Sequence, residues 1–390
     1  MANVQLDPLI LQRYIYSIPK FLLWMFTLYV VVLAYQDFLL GGNSWKQGDW
    51  LINSVDTTVR RGIMGSLLLR VSQTLSIDVV LLVVLLQISL LLAAMGLLTQ
   101  SIRRSDTPAT IWLLILSPGF FISFWSLDDQ GGLRKELITF LAFTLLLYAT
   151  SRLTPSRILI YVSAFVFGFA VLSHEGNLFF APFFAFSYYL LFAKSAISRR
   201  ELAALLIILA GSCVATVVIA FSFDTVTDYM TVCRPVLAAG VDAEICSGAI
   251  KALEIPLKEY LTATFWMFFS PLVLSFALLY AITAIPIIVI GRHFIDGRMF
   301  IKAYVASAFL FLPLYLVAVD WGRWVSFHTT AVIFTLLIAV SLGFAKNTPG
   351  RELPPVLFNI LLIFFLIVGF SHFVNVIWGG MAWKAVNGIL

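Results

Sequence analysis

Long apolar runs alternate with short polar gaps along the whole chain. The runs are continuous rather than alternating at every second residue, which predicts helices and argues against a membrane β-barrel. A helix that crosses a bilayer needs about 20 apolar residues, with roughly 17–25 usual. Eleven runs qualify as candidate spans: 20–40, 79–99, 109–127, 137–151, 158–173, 178–193, 202–222, 263–290, 301–319, 325–344 and 356–376. The fourth to sixth are short. Pro118, Pro182, Pro271, Pro286 and Pro313 lie within or near runs and predict kinks or breaks.

Two gaps are long. In 41–78, the stretch Gly62 to Leu75 carries Ile63, Met64, Leu67, Leu68 and Val71 at helical spacing, which predicts a helix lying along the membrane surface. The gap 223–262 carries Cys233 and Cys246, 13 residues apart, which are expected to form a disulfide if they face an oxidising side. Cys213, inside a run, reads as a small apolar filler. These limits divide the chain into an N-terminal transmembrane module (1–222), a disulfide-bearing loop (223–262) and C-terminal transmembrane helices (263–390). No internal repeat is visible.

Composition agrees with the pattern. The 390 residues are 61% hydrophobic and only 12% charged, about half the charge of an ordinary globular chain, and the mean hydropathy is +0.99. The expected class is an all-α polytopic membrane protein. Its net charge of +5 then speaks to orientation rather than to nucleic-acid binding. The first run, Phe21 to Tyr35, has no small-residue cleavage site after it and is expected to remain as an anchor.

The polar gaps are of two kinds. One set is plainly basic: Arg103/Arg104, Arg152/Arg157, Arg199/Arg200, Arg292/Arg298 and Lys346/Arg351. Short basic loops mark the cytoplasmic side, so the N-terminus is expected inside and the C-terminus, after eleven spans, outside. The other set mixes acids, bases and histidines and should lie outside. Its first member is Asp56, Arg60 and Arg61 with Gly62 and Gly65. Paired guanidiniums bind phosphate oxygens and keep their charge, although such a pair can also merely meet lipid headgroups.

The second member is Asp128-Asp129-Gln130-Gly131-Gly132-Leu133-Arg134-Lys135-Glu136. Its three acids could attract a divalent metal, but Arg134 and Lys135 would repel one and suit phosphate better. The third is His174-Glu175, almost without a loop and thus near bilayer depth, where ionisable groups are costly and functional by default. Either residue could serve as a general base, His174 could instead hydrogen-bond a sugar, or Glu175 could simply pair with an arginine. The fourth is Asp320-Trp321-Gly322-Arg323-Trp324, with His328 about one turn on. These residues could complete a phosphate clamp, stack on a sugar, or anchor the span at the interface. His372 is a weaker candidate. No Walker-type loop, zinc spacing, nucleophile elbow or dinucleotide fingerprint is present. No cofactor is expected, and a divalent metal is left open.

Ser117-Pro118, Asp128-Asp129, Glu136 to Phe143, Phe167 to Glu175, and Phe180-Ala181-Pro182 form a pattern of small, polar, apolar and proline residues between spans. Over roughly 20–222 the layout resembles the GT-C class of membrane glycosyltransferases and the related O-antigen-polymerase-like enzymes. The resemblance implies an outer-face site and a polyprenyl-phosphate or polyprenyl-diphosphate saccharide donor. It implies a glycan or lipid-linked acceptor and a bacterial-type inner membrane. Such enzymes place an acid soon after the first span; here Asp37, Asp49 and Asp56 compete for that place. Under this reading Glu175, His174, Asp56, Asp128, Asp129 or Glu136 supplies the catalytic acid or base. Arg60, Arg61, Arg134, Lys135, Asp320, Trp321, Arg323 and His328 hold the donor. A transporter or flippase for a lipid-linked or anionic solute, or a non-catalytic scaffold, is the alternative.

Overall fold

A computed structural model describes residues 8–104, 109–128, 130–223, 226–345, 353–372 and 376–387. Asp129, Lys346 and Arg351 therefore lie outside the described residues. Helices dominate. The first, α1 (Pro8–Leu39), is followed by the short α2 (Gln47–Leu51), α3 (Gly62–Leu75) and α4 (Val79–Arg104). Next come α5 (Ala109–Leu114), α6 (Phe121–Leu127), α7 (Glu136–Thr150) and α8 (Arg157–Ser173). A 3-10 turn over Glu175–Phe180 leads into α9 (Ala181–Ala193) and α10 (Arg199–Ser222). The loop after it contains α11 (Met230–Ala238). The C-terminal part holds α12 (Leu257–Phe268), α13 (Leu272–Gly291), α14 (Gly297–Val317), α15 (Trp321–Ser341) and α16 (Pro355–Ile367). A hairpin of β1 (Val368–Phe370) and β2 (Val376–Trp378) and the short α17 (Gly380–Asn387) complete it.

Among the described residues, seven helices are long and apolar enough to cross a membrane, and α7, α8 and α16 are shorter apolar helices. The chain is a multi-pass helical membrane protein. Three expected spans take a different form. The run 109–127 is broken at Ser117-Pro118-Gly119 into α5 and α6, and its core is buried, where irregular backbone can be satisfied by protein. The run 263–290 breaks at Ser270-Pro271, between α12 and α13. The run 356–376 leaves the helix after Ile367 for the hairpin. Pro182 starts α9 rather than kinking it, as proline does when its missing N–H falls in a first turn.

The expected helix over 62–75 is α3. Gly65 packs so closely on the Ile52 carbonyl that any Cβ would collide with it. The glycines of this segment thus serve helix packing. Ile63, Leu67 and Leu75 remain exposed, an apolar outer face for a surface-lying helix. Cys233 and Cys246 are joined, and Cys213 is free.

The two kinds of gap separate to opposite ends of the bundle. Among the described residues several of the basic gaps meet: Arg157 pairs with Glu201 at 3.2 Å, and Lys194 donates to the Gly343 carbonyl at 3.1 Å. The mixed gaps meet at the other end, around one ion pair. Glu136, Phe140 and Phe143 share a face of α7, and Arg323, Phe327 and Phe334 share a face of α15. Phe140 meets Phe327 edge-on at 6.2 Å, and Phe143 stacks on Phe334 at 5.1 Å. At the head of this aromatic seam, Arg323 donates twice to Glu136, at 3.2 Å and 2.9 Å, with side chains only 2% and 1% exposed. Removing one member of such a pair leaves a bare charge in a dry site, at a cost of about 3–5 kcal/mol. Glu136→Leu alone is expected to lower the unfolding midpoint of the detergent-solubilised protein sharply. Glu136→Leu with Arg323→Met should recover most of the loss. Equal midpoints for the single and double variants would show that the pair does not hold the helices.

Candidate functional site

A cavity of about 480 Å³ opens at the mixed-gap end. Each gap reaches it by a separate device. Arg61 sits in the left-handed region at φ 67°, a costly conformation away from glycine. Its carbonyl there accepts from Lys135 Nζ at 2.9 Å. The guanidinium grips Glu175, with Nε at 2.9 Å and 2.7 Å from the two carboxylate oxygens and a further contact from Nη2. Arg60 lies 3.6 Å from the same carboxylate.

The 128–135 gap is folded by its own first acid. Asp128 accepts from the backbone N–H groups of Gln130 and Gly131 at 3.1 Å and 3.0 Å, and from the His372 N–H at 2.7 Å. Its side chain also meets His372 Nδ1. Burial pushes the Asp128 carboxyl up, but the hydrogen bonds and charge of His372 win and hold it below its usual value. The Leu133 carbonyl takes hydrogen bonds from Trp50 Nε1 and Gln87 Nε2. Arg134 is thereby aimed into the cavity and Lys135 away from it.

Arg134 is buried yet loosely held. Its nearest acids are Asp49 at 4.0 Å and Asp320 at 3.9 Å. Its Nε has no hydrogen-bond partner, and its guanidinium lies 5.7 Å over the Trp45 ring. Beneath it, Asp49 is fully buried in α2. Burial pushes that carboxyl up, while Lys135, Arg134, Arg61 and Arg323 together pull it below its usual value. Asp49 is thus a fixed negative charge under the cluster, and Lys135 N–H donates to it at 3.3 Å.

His174 Nδ1 accepts from Gly176 N–H at 2.9 Å. Burial, with Arg61, Arg323, Arg134 and Lys135, holds the ring well below its usual pKa. A neutral imidazole accepting at Nδ1 carries its proton on Nε2, and Nε2 is buried without a partner. His174 therefore offers a hydrogen-bond donor, not a base. Asp320 has its side chain 24% exposed, 3.5 Å from Arg323. Gly322 brings in the C-terminal hairpin: it donates to the His372 carbonyl at 3.0 Å, and a Cβ would strike the Ser371 carbonyl.

The lining has two characters. At the polar end stand four guanidiniums (Arg60, Arg61, Arg134, Arg323) against two carboxylates (Glu175, Asp320), with His174, His372, Gln130, Trp45, Trp324 and Tyr260. The opposite wall is apolar, built from Leu178 and Phe179, Val217 and Phe221 of α10, Leu253 and Leu257, and Leu314 and Val317 of α14. Phe221 is 82% exposed, so this wall reaches the outer face of the bundle.

The structure thus brings Arg60, Arg61, Arg134, His174, Glu175, Asp320 and Arg323 together. It places Lys135, Glu136 and Asp128 just behind them as positioning groups. Asp56 is exposed on the first loop and does not line the cavity. Trp321 is buried, donating to the Tyr315 carbonyl between Phe268 and Phe276. His328 lies within α15, hydrogen-bonded to Tyr280 and Ser307. Asp49, one of the three acids competing for the place after the first span, and Trp324, beside Arg323, join the site, whereas Trp45 and Tyr260 join it unannounced by any motif. Among the described residues no group of three His, Cys, Asp or Glu converges as a metal would require. The chain matches no protein-family model, no curated protein and no solved structure.

An excess of buried positive charge beside an apolar wall suits an amphiphilic anion. Burial, with Arg61 and Arg134 adding and Asp49 and Glu175 opposing, pushes the Lys135 ammonium down to about 8. It is charged below that pH and neutral above it. Binding of an isoprenyl phosphate, followed by tryptophan fluorescence, should weaken as pH rises through about 8. The Lys135→Met profile should be flat across that range; an unchanged step would assign the proton elsewhere.

Proposed function

We propose that this chain is a membrane-embedded glycosyltransferase of GT-C-like architecture with about eleven spans. It uses a polyprenyl-(di)phosphate-linked saccharide donor to extend or polymerise a surface polysaccharide. It sits in a bacterial-type inner membrane, with the N-terminus cytoplasmic and the cavity extracytoplasmic. The observation that carries this reading is the two-sided cavity: four arginines converge at one end, and an apolar wall runs from them to the lipid-facing side of α10.

The phosphate lies against Arg134, whose ion pairs to Asp49 and Asp320 are long, with Arg60 and Arg323 beside it. The His174 Nε2–H donates to a phosphate or sugar oxygen. Arg61 is taken up by Glu175, so Glu175 orients the clamp and leaves proton abstraction to another group. Asp320 is the best placed: it lines the cavity, is partly exposed, and its ion pairs are loose. The acceptor hydroxyl oxygen attacks C1 of the donor sugar as its proton passes to Asp320. The C1–O bond breaks, and its electron pair goes to the phosphate oxygen, stabilised by the guanidiniums. Trp45, Trp324 and Tyr260 provide faces for the sugar.

In a reconstituted assay with lipid-linked donor, Asp320→Asn should lower turnover by about 10²–10⁴-fold, the usual share of a general base, while donor binding persists. Arg134→Ala should lower turnover by about 10²–10³-fold and weaken donor binding as well. Full transfer by either variant sinks its assigned role. Movement of labelled donor across liposomes without any product would favour the transporter reading.

A further inference from the structure

A second cavity, of about 580 Å³, lies away from the first, between α9, α14 and α15. Its walls are Phe186 of α9, Met299, Ala303 and Leu310 of α14, and Leu336 and Ala339 of α15. Its floor is closed by Tyr304 and by Ser307, whose hydroxyl is 2.8 Å from His328 Nε2. Phe186, Met299 and Leu310 are exposed on the outside of the bundle, so the cavity is a groove open to the surrounding lipid.

Its length and its rim identify the occupant. From Met299 to Leu310 the helix rises about 16 Å, at about 1.5 Å per residue. That is about half of the roughly 30 Å hydrocarbon core. A partner transmembrane helix would use the whole depth, whereas an acyl chain of one leaflet uses half. The groove begins at the basic-gap end of α14, beside exposed Arg292, Arg298 and Lys302. None of these three is paired with an acid among the described residues. The nearby Asp296 side chain caps α14 by accepting from Met299 N–H at 3.0 Å. Lys302 lies one turn along from Arg298 and flanks Met299 and Ala303 on the helix surface.

We propose that this groove is a binding site for one anionic phospholipid of the leaflet on the basic-gap side. An acyl chain lies along α14, and the phosphate headgroup meets Arg292, Arg298 and Lys302. The site is independent of the outer cavity and of the reaction assigned to it. Clusters of basic residues at a membrane surface bind anionic headgroups with about 1 kcal/mol per charge, and here they stand at the mouth of a slot shaped for one chain.

The test uses the intact protein in phosphatidylcholine nanodiscs doped with phosphatidylglycerol carrying a photoreactive acyl chain. Cross-links are mapped by peptide mass spectrometry. Phosphatidylglycerol should label 299–310 and 332–339 at least about fivefold more than phosphatidylcholine bearing the same chain. Arg298→Gln with Lys302→Gln, both at exposed positions, should abolish the preference and leave phosphatidylcholine labelling intact. Ala303→Phe should reduce labelling by both lipids; if that variant fails to fold, the charge variant decides alone. Equal labelling by the two lipids, or a preference that survives the double charge variant, overturns the proposal.

Discussion

The site depends on a charge pair that has nowhere else to go. Arg323 and Glu136 lie almost wholly out of water, where either ion alone would be prohibitive. Their two parallel hydrogen bonds allow one relative placement of α7 and α15. The phenylalanine rings below interlock in that register. Once it is set, Asp320 falls at the cavity edge because it lies one helical turn before Arg323. Arg134 and Lys135 fall behind and beside it because they immediately precede Glu136. One ion pair, made by residues 187 apart in sequence, thus positions two of the four polar gaps.

The charges divide by how completely they are answered. Arg61 has a carboxylate, and Arg323 has one and part of another. Arg134 has neither within ordinary hydrogen-bonding distance, although it is buried. An arginine cannot discharge itself by losing its proton, so its weakly answered field persists. A ligand phosphate would supply the missing negative charge where water is scarce and the interaction is strong. The same logic explains Asp49 and Glu175: they keep the cluster from repelling itself apart and leave a net attraction for an incoming anion.

Much of this is legible in the sequence. Arg60, Arg61, Arg134, His174 and Arg323 stand out because charge beside an apolar run is expensive and therefore conspicuous. The α3 helix shows in its spacing, and the break in the 109–127 run is foreshadowed by Pro118. What could not be read was pairing at a distance. Glu175 next to His174 looks like a base until Arg61, 114 residues away, is seen to hold it. Trp45 and Trp324 look like interfacial anchors, as tryptophans near spans usually are. Asp49 could not be told from its competitors Asp37 and Asp56, since one acid in a polar loop resembles another until burial separates them. The hairpin after α16 was hidden by the apolar run that continues through it.

The loop held by Cys233–Cys246 reaches back across the molecule. Asn53 donates to the Val232 carbonyl at 2.8 Å, and Ala249 N–H to the Ser44 carbonyl at 3.0 Å, so the first loop is clasped by a segment made almost two hundred residues later. Wall, floor and clasp come from stretches scattered from Trp45 to His372. During biogenesis the early helices must therefore wait in the bilayer with Glu136 unpaired, and the cavity closes only when the last third of the chain arrives. A nascent chain halted after α10 would own most of the cavity arginines and yet have no enclosed place to use them.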